Sequence, residues 1–457
     1  MRISTRSIVL FGIVLGVLQF PIYVRSFGHR SPIFPEGEFV TPESVNQALN
    51  RLLTDKTIPT LQELEAMALQ QSPLLVQSAS RVEEAQGELR QSRYYPNPRI
   101  GYLGDDIRNQ QSLEGSKHGI FFEQDILLGG KVGAQRDVAE LALLEAQAEN
   151  DIQIFRVRNA VRLLYFQALA AELLVELKES FLVIISEANS AVEQLHANGS
   201  VNLPGRVSAN LAKLQSESDL ALAVNHRDQA RQMLASAIGV MAVPAGRFQE
   251  SLQFPGSDID FEEVWQTLLL ESPEIKKART SLERAESIIS LERKRRIPNL
   301  SIRLGIQHYQ EQLPNVSIPS GLQASAEISA EIPIFDRNQG NISSARAAVE
   351  IAQAELDQIT LSLRERLVTA YNKYKNTSSI TRKYENQLHS ETQEYCERYL
   401  KGGAELIPAY PLIITTQQNC LQIKINYISA LSSMWHELLA IRGLLITSGQ
   451  ATVIKSY

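Results

Sequence analysis

The stretch Leu322-Gln-Ala-Ser-Ala-Glu-Ile-Ser-Ala-Glu-Ile332 alternates without a fault. Leu322, Ala324, Ala326, Ile328, Ala330 and Ile332 form one set, and Gln323, Ser325, Glu327, Ser329 and Glu331 form the other. A period of two puts these sets on opposite faces of a β-strand, one wholly apolar and one polar enough to carry charge. Ser301 to Gln307 repeats the pattern, with Ile302, Leu304 and Ile306 against Ser301, Arg303 and Gln307. Strands of this kind fit two settings: a transmembrane barrel with lipid outside and water inside, or a solvated antiparallel sheet packed on a helix. In the barrel, Arg303, Gln323, Glu327 and Glu331 face the lumen.

Working outward from these strands, two polar stretches, about Lys131 to His196 and about Asn338 to Leu400, contain no proline and are rich in Ala, Leu, Glu, Gln and Arg. Each ends at glycine, Asn198-Gly199 in one and Lys401-Gly402-Gly403 in the other. Both are predicted single helices. At 1.5 Å per residue, such a helix of roughly 65 residues is roughly 100 Å long, too long for one ordinary globular core. In the second, Ala345, Val349, Ala352, Leu356, Ile359, Leu363, Leu367, Ala370 and Tyr374 step by three or four and form a packing seam.

The remaining elements repeat in order. Thr60-Leu-Gln-Glu63 has the form of a capping box opening a helix to about Arg93, which Tyr94-Tyr-Pro-Asn-Pro98 stops. Loosely alternating strands follow at 99–105 and 116–128, carrying the aromatics Tyr102, Phe121 and Phe122 beside Tyr94 and Tyr95. After the first long helix and the loop 198–204 comes a helix ended by Gly239. The second half runs helix from about Asp260 to Arg296, strands 300–309 and 321–335, long helix, glycine loop and a helix to about Arg442, ended by Gly443. Pro96 to Gly199 and Pro298 to Gly402 agree in length to within one position, as do Gly199 to Gly239 and Gly402 to Gly443. Ser72-Pro73 recurs as Ser272-Pro273. We therefore expect an internal repeat: a first unit at 60–239 (helix, two strands, long helix, short helix), a linker at 240–259, a second unit at 260–443, and a tail at 444–457.

At the N-terminus, Arg2 and Arg6 precede the apolar run Ile8 to Phe20, the pattern of a secretory signal over 1–26; an uncleaved anchor helix is the other reading. Residues 27–59 are proline-rich and read as an extended arm. Cys396 and Cys420 are the only cysteines; two buried free thiols are expected, with a disulfide in an oxidising compartment the alternative. A net charge of −6 and the lack of an interleaved Arg/aromatic tract exclude a nucleic-acid partner. Four strands cannot close a barrel, and in lipid an open edge is not tolerated, so closure requires other copies; three would supply an even twelve strands.

The signal segment, the duplicated helix-strand-strand-helix-helix units and the glycine-marked hairpins resemble the TolC-type outer-membrane efflux proteins from Thr60 to Gly443. Gly129-Gly130-Lys131 and Phe335-Asp-Arg-Asn-Gln-Gly-Asn341, with the Ser-Pro pairs, are closest to the heavy-metal (cobalt-zinc-cadmium type) resistance branch. The resemblance implies a mainly α fold with a small β part, and a homotrimer with a 12-stranded barrel in outer-membrane lipid. It implies a helical tunnel in the periplasm, docked on a periplasmic adaptor and an inner-membrane pump of the resistance-nodulation-division type rather than the ABC type. The adaptor would meet the hairpin tips Gly199-Ser200-Val201 and Gly402-Gly403-Ala404. Where better-known members place two aspartates at the aperture, this chain has Pro408 and Pro411, leaving Glu405 as the candidate acidic group.

The function expected is a passive exit duct for metal ions or small toxic compounds. The alternatives are a type I secretion duct for polypeptide and an exported coiled-coil scaffold without channel activity. No Walker loop, dinucleotide glycine motif or Gly-x-Ser-x-Gly is present. The seven histidines show no zinc-ligand spacing; His308 is placed on a strand and His118 in a loop. No enzymatic activity, cofactor or resident metal is expected.

Overall fold

A computed structural model describes residues 59–105, 117–241, 259–309, 321–388 and 410–446, together with 243, 246, 248, 250–254 and 256. The expected signal segment, nearly all of the N-terminal arm, the second hairpin tip (Gly402, Gly403, Ala404, Glu405, Pro408) and Cys396 lie outside them.

In chain order the elements are α1 (Leu61–Gln71), α2 (Pro73–Gln91), β1 (Arg99–Asp105), β2 (Lys117–Ile126), α3 (Lys131–Ala197) and α4 (Leu203–Ile238). They continue as α5 (Phe261–Glu271), α6 (Pro273–Arg295), β3 (Leu300–Tyr309), β4 (Leu322–Ala330), α7 (Gln339–Leu388) and α8 (Tyr410–Arg442). The first long helix runs 67 residues, as its uninterrupted composition predicts.

Each helix expected to precede a strand pair is two helices. Thr60 does open α1 with a capping box, its amide donating to Glu63 Oε2 at 2.9 Å. The helix stops at Ser72, however, where ψ is 118°, and Ser272 repeats the break between α5 and α6 with ψ 119°. The cause is local: proline clashes with a helical residue before it and is itself well placed in the first turn of a new helix. Strand β4 ends at Ala330 rather than running to Phe335.

Among the described residues the strands form one antiparallel sheet in the order β1-β2-β3-β4, with β1 and β4 at its edges. The helices follow the same order. Helix α2 packs on α3, α3 on α6 and α6 on α7, and these lead respectively into β1, out of β2, into β3 and out of β4. Away from the sheet, α4 packs on α3, α3 on α8 and α8 on α7. The result is a curtain with α2, β1 and α4 along one border and α7 and β4 along the other.

The core gathers where the short helices meet α3. Leu64, Met67, Val161, Tyr165, Leu234, Leu268, Leu363, Leu367 and Met434 are all but fully enclosed. The linker joins this core: Val243 and Leu252 are buried, Trp435 Nε1 donates to the Gln253 carbonyl at 2.9 Å, and Arg231 spans Glu172 and the Gly246 carbonyl. All nine seam residues of α7 are buried or half-buried.

The α8 terminus departs from expectation. Gly239 caps α4 in the left-handed region (φ 90°), but at the end of α8 the left-handed residues are Leu444 and Leu445. Gly443 is required for another reason: a Cβ there would land on the side-chain amide of Asn159. Residues 444–446, expected as the start of a tail, are buried and held by Asn159 and Arg366. Cys420 is disulfide-bonded, correcting the expectation of free thiols.

Candidate functional site

Two surfaces carry the residues singled out by the sequence: the two-faced sheet and the hairpin between α3 and α4. In the sheet, register decides which side chains share a face. Ile302, Ile328 and their neighbours Leu304, Ile306, Ile120, Ile100 and Tyr102 fall on one face, and most of these large apolar groups are exposed in the single chain. Exposing so many is tolerable only against something other than water.

The opposite face holds charge. Arg99 opposes Glu123, Glu123 opposes Arg303, and Arg303 opposes Glu327, one residue per strand in a single row. Glu123 pairs with Arg99 at 2.5 Å and with Arg303 at 2.6 Å, Arg303 approaches Glu327 at 3.7 Å, and Arg99 also reaches Asp125 at 3.1 Å. The Glu123 side chain is only 8% exposed because two guanidiniums cover it, and Arg303 also sits 4.9 Å from the centre of the Phe121 ring. Gln323 opposes Gln307 in the same face, and Glu331 lies just past the end of β4, exposed. Arg303, Gln323 and Glu327 thus share this face, with Arg303 and Glu327 directly opposed. Glu123 and Arg99 were not singled out from sequence, because their role appears only once register sets them beside Arg303.

His118 is on β2, not in a loop. It opposes His308 directly, and its Nδ1 is hydrogen-bonded to the Tyr102 hydroxyl. Among the described residues, no group of three or more His, Cys, Asp or Glu is placed to hold a metal ion. No helix among them is long and apolar enough to cross a membrane.

The strand-to-helix junctions need left-handed backbone. Gly129 (φ 75°) and Gly130 (φ 68°) supply it before α3, and a Cβ on Gly129 would strike Ile297. At the second junction Asn338 (φ 58°) does the same work, and its Nδ2 donates to the buried Glu292 at 2.6 Å. Asparagine tolerates this region better than other side-chain-bearing residues.

At the hairpin tip, Gly199 is left-handed (φ 74°) and the amide of Ser200 donates to the Leu195 carbonyl at 2.8 Å. His196 Nδ1 lies 2.8 Å from the Val201 carbonyl, and Asn202 caps α4 through the Gly205 amide at 3.0 Å. Nothing lies within 4 Å of a Cβ built on Gly199, so the tip is open. Pro411 falls in the first turn of α8, where its missing N–H costs nothing.

A family model described as "Outer membrane efflux protein" matches residues 64–240 and 264–401, well over half of the chain. The chain belongs to the outer membrane efflux protein family. The family's members are ducts of the outer membrane rather than enzymes, and so is this chain. Among its relatives, the cobalt-zinc-cadmium resistance protein CzcC of Cupriavidus metallidurans is 26% identical over 380 residues, 82% of this chain and 87% of CzcC. The nickel-cobalt-cadmium resistance protein NccC of Alcaligenes xylosoxydans xylosoxydans is 26% identical over 310 residues, 66% of this chain and 67% of NccC. Among solved structures, the outer-membrane channel OprN has a TM-score of 0.67 at 15% identity, covering 87% of this chain and 91% of that one. CusC has a TM-score of 0.59 at 20% identity, covering 83% and 92%. These outer membrane channels share the fold of the curtain and its sheet.

Proposed function

We propose that this outer membrane efflux protein is the passive exit duct of a tripartite system that expels divalent transition-metal ions, working as a homotrimer. The carrying observation is the sheet: two free edges, one exposed apolar face and one face of paired charges. A sheet of this kind finds its partners in lipid on one side, water on the other and further copies at both edges. Three copies give twelve strands, and the apolar face meets lipid while Arg303, Gln323, Glu327 and Glu331 face the lumen. The same order of elements on either side of the linker supports an origin by internal duplication.

The helical borders support the same assembly. Leu203, Val207, Leu211 and Leu214 of α4 are spaced to share one face, and Leu361 and Val368 of α7 lie seven apart; all are exposed in the single chain. A head-to-tail arrangement sets one border against the other and closes into a ring. The helices then form a periplasmic tunnel whose tips, Gly199-Ser200-Val201 and Gly402-Gly403-Ala404, dock on a periplasmic adaptor. The adaptor links the duct to an inner-membrane pump of the resistance-nodulation-division type. Metal cargo is supported by the resistance proteins to which the chain is similar.

The test is a deletion strain challenged with zinc, cobalt and cadmium and, separately, with dyes, alongside purified chain in planar bilayers. The expected result is lost metal resistance, restored by the chain, with discrete conductance steps. Unchanged metal tolerance with raised dye sensitivity would overturn the cargo, and absence of conductance would overturn the duct.

A further inference from the structure

The charged row across the sheet has an end on each free edge. Its members stand one per strand, in direct register, in the order Arg99, Glu123, Arg303, Glu327. Because the sheet has four strands, an alternating row must begin and end on opposite charges. The ends are also the most exposed members, although Arg99 reaches Asp125 within the chain as well as Glu123. The side chains of Arg99 and Glu327 are 62% and 61% exposed, against 8% for Glu123 between its two guanidiniums. Both sit on strands whose outer backbone groups have no ladder partner among the described residues. Glu331 extends the acidic end: it shares the parity of Glu327 in the alternation and makes no ion pair among the described residues.

We propose that the seam between adjacent copies is built by charge as well as by backbone pairing, with Arg99 on β1 of one copy meeting the carboxylates Glu327 and Glu331 on the β4 border of the next. This rests on the reading that copies assemble edge to edge. Opposite end charges make the two borders complementary head to tail and mutually repelling head to head or tail to tail, so the row selects the one orientation that closes. A closed barrel needs its strands staggered, so the row cannot simply rejoin itself around the circuit. Two carboxylates four residues apart on one border give the long Arg99 side chain a partner across that stagger. Inside the chain, Glu123 already shows what the seam reproduces: a carboxylate covered by a guanidinium from the neighbouring strand.

The proposal is tested by cross-linking the full-length chain in outer-membrane extracts. Variants pairing R99C with E327C, or R99C with E331C, are treated with a short thiol-reactive linker; R99C with S301C, which places the second thiol on interior strand β3, is the control. The expected result is a covalent trimer on denaturing gels from at least one border pair and none from the control. Independently, the E327K/E331K variant should dissociate from trimer to monomer at a temperature several degrees lower than the Q323K variant, which adds charge to the same strand outside the row. An intact trimer by native mass in which neither border pair cross-links, or in which E327K/E331K dissociates no earlier than Q323K, overturns the seam and leaves the assembly standing. A wild-type chain that is monomeric in the same extracts overturns the assembly reading and the seam with it.

Discussion

At the residue scale, Asn159 ties together two segments far apart in the chain. It is 2% exposed, and its amide donates to the carbonyls of Gly443 at 2.8 Å and Ile446 at 2.7 Å. It thereby holds the segment after α8 against the middle of α3. Replacing it by alanine strands the buried Ile446 carbonyl, at a cost of about 1–3 kcal/mol, and leaves the Gly443 carbonyl with the Ile446 amide as its donor. N159A should therefore unfold at clearly lower denaturant or temperature than wild type, with the loss visible in a thermal melt of the detergent-solubilised chain. Glu250 gives a pH effect of definite sign. Burial pushes its carboxyl up, the Leu61 amide it accepts from pulls it down, and the neighbouring Glu65 pushes it up again. With the folded value above the unfolded one, Glu250 contributes stability in acid, and that contribution is lost as pH rises through the folded value. E250Q keeps an acceptor for Leu61 and cannot ionise. It should melt above wild type at neutral pH, with the difference shrinking as pH falls below the ordinary glutamate range.

At the element scale, β4 is defined by its two faces. Ile328 opposes Ile302 on the exposed apolar face, while Glu327, one step away, points into the charged row. If the apolar face meets lipid, a charge at Ile328 costs about 2–4 kcal/mol near mid-bilayer, whereas the same charge on the other face is solvated. I328R should sharply reduce heat-modifiable protein in the outer-membrane fraction, and S325R should leave most of it; equal loss in both would remove the lipid assignment. The junctions are also element-level devices. Gly129-Gly130 and Asn338 let the chain turn from strand into helix through left-handed backbone, and the Asn338 side chain ties that turn to Glu292 on α6.

At the scale of the whole molecule, the single chain is a curtain whose borders are incomplete. Leu211 and Leu214 are each 60% exposed on α4. They make little contribution within one copy, so L211E/L214E should leave the fold of the chain intact by circular dichroism. If the borders meet as proposed, the same pair is covered by α7 of the next copy, and the variant should run as a monomer by native mass. A trimer of undiminished heat resistance would place the interface elsewhere.

Much of this architecture was legible in the chain itself, since periodicity is a local property. The perfect alternation of 322–332 marks a two-faced strand, and the proline-free runs mark long helices. The Ser72-Pro73 and Ser272-Pro273 breaks were also visible as dipeptides, but reading them as helix interruptions needed the backbone angles. Glu123 could not be recognised from its neighbours, because what makes it matter is Arg99 and Arg303 on either side, and the latter is 180 positions away. The same holds for Asn159, whose partners lie 284 and 287 positions along the chain. Sequence by itself determined the long helices, the two faces of β3 and β4, and the order in which helices and strands follow one another. Tertiary structure alone decided which charges stand in one row and which carbonyls are held, because register and long-range contact are set by packing between segments that carry no local trace of one another.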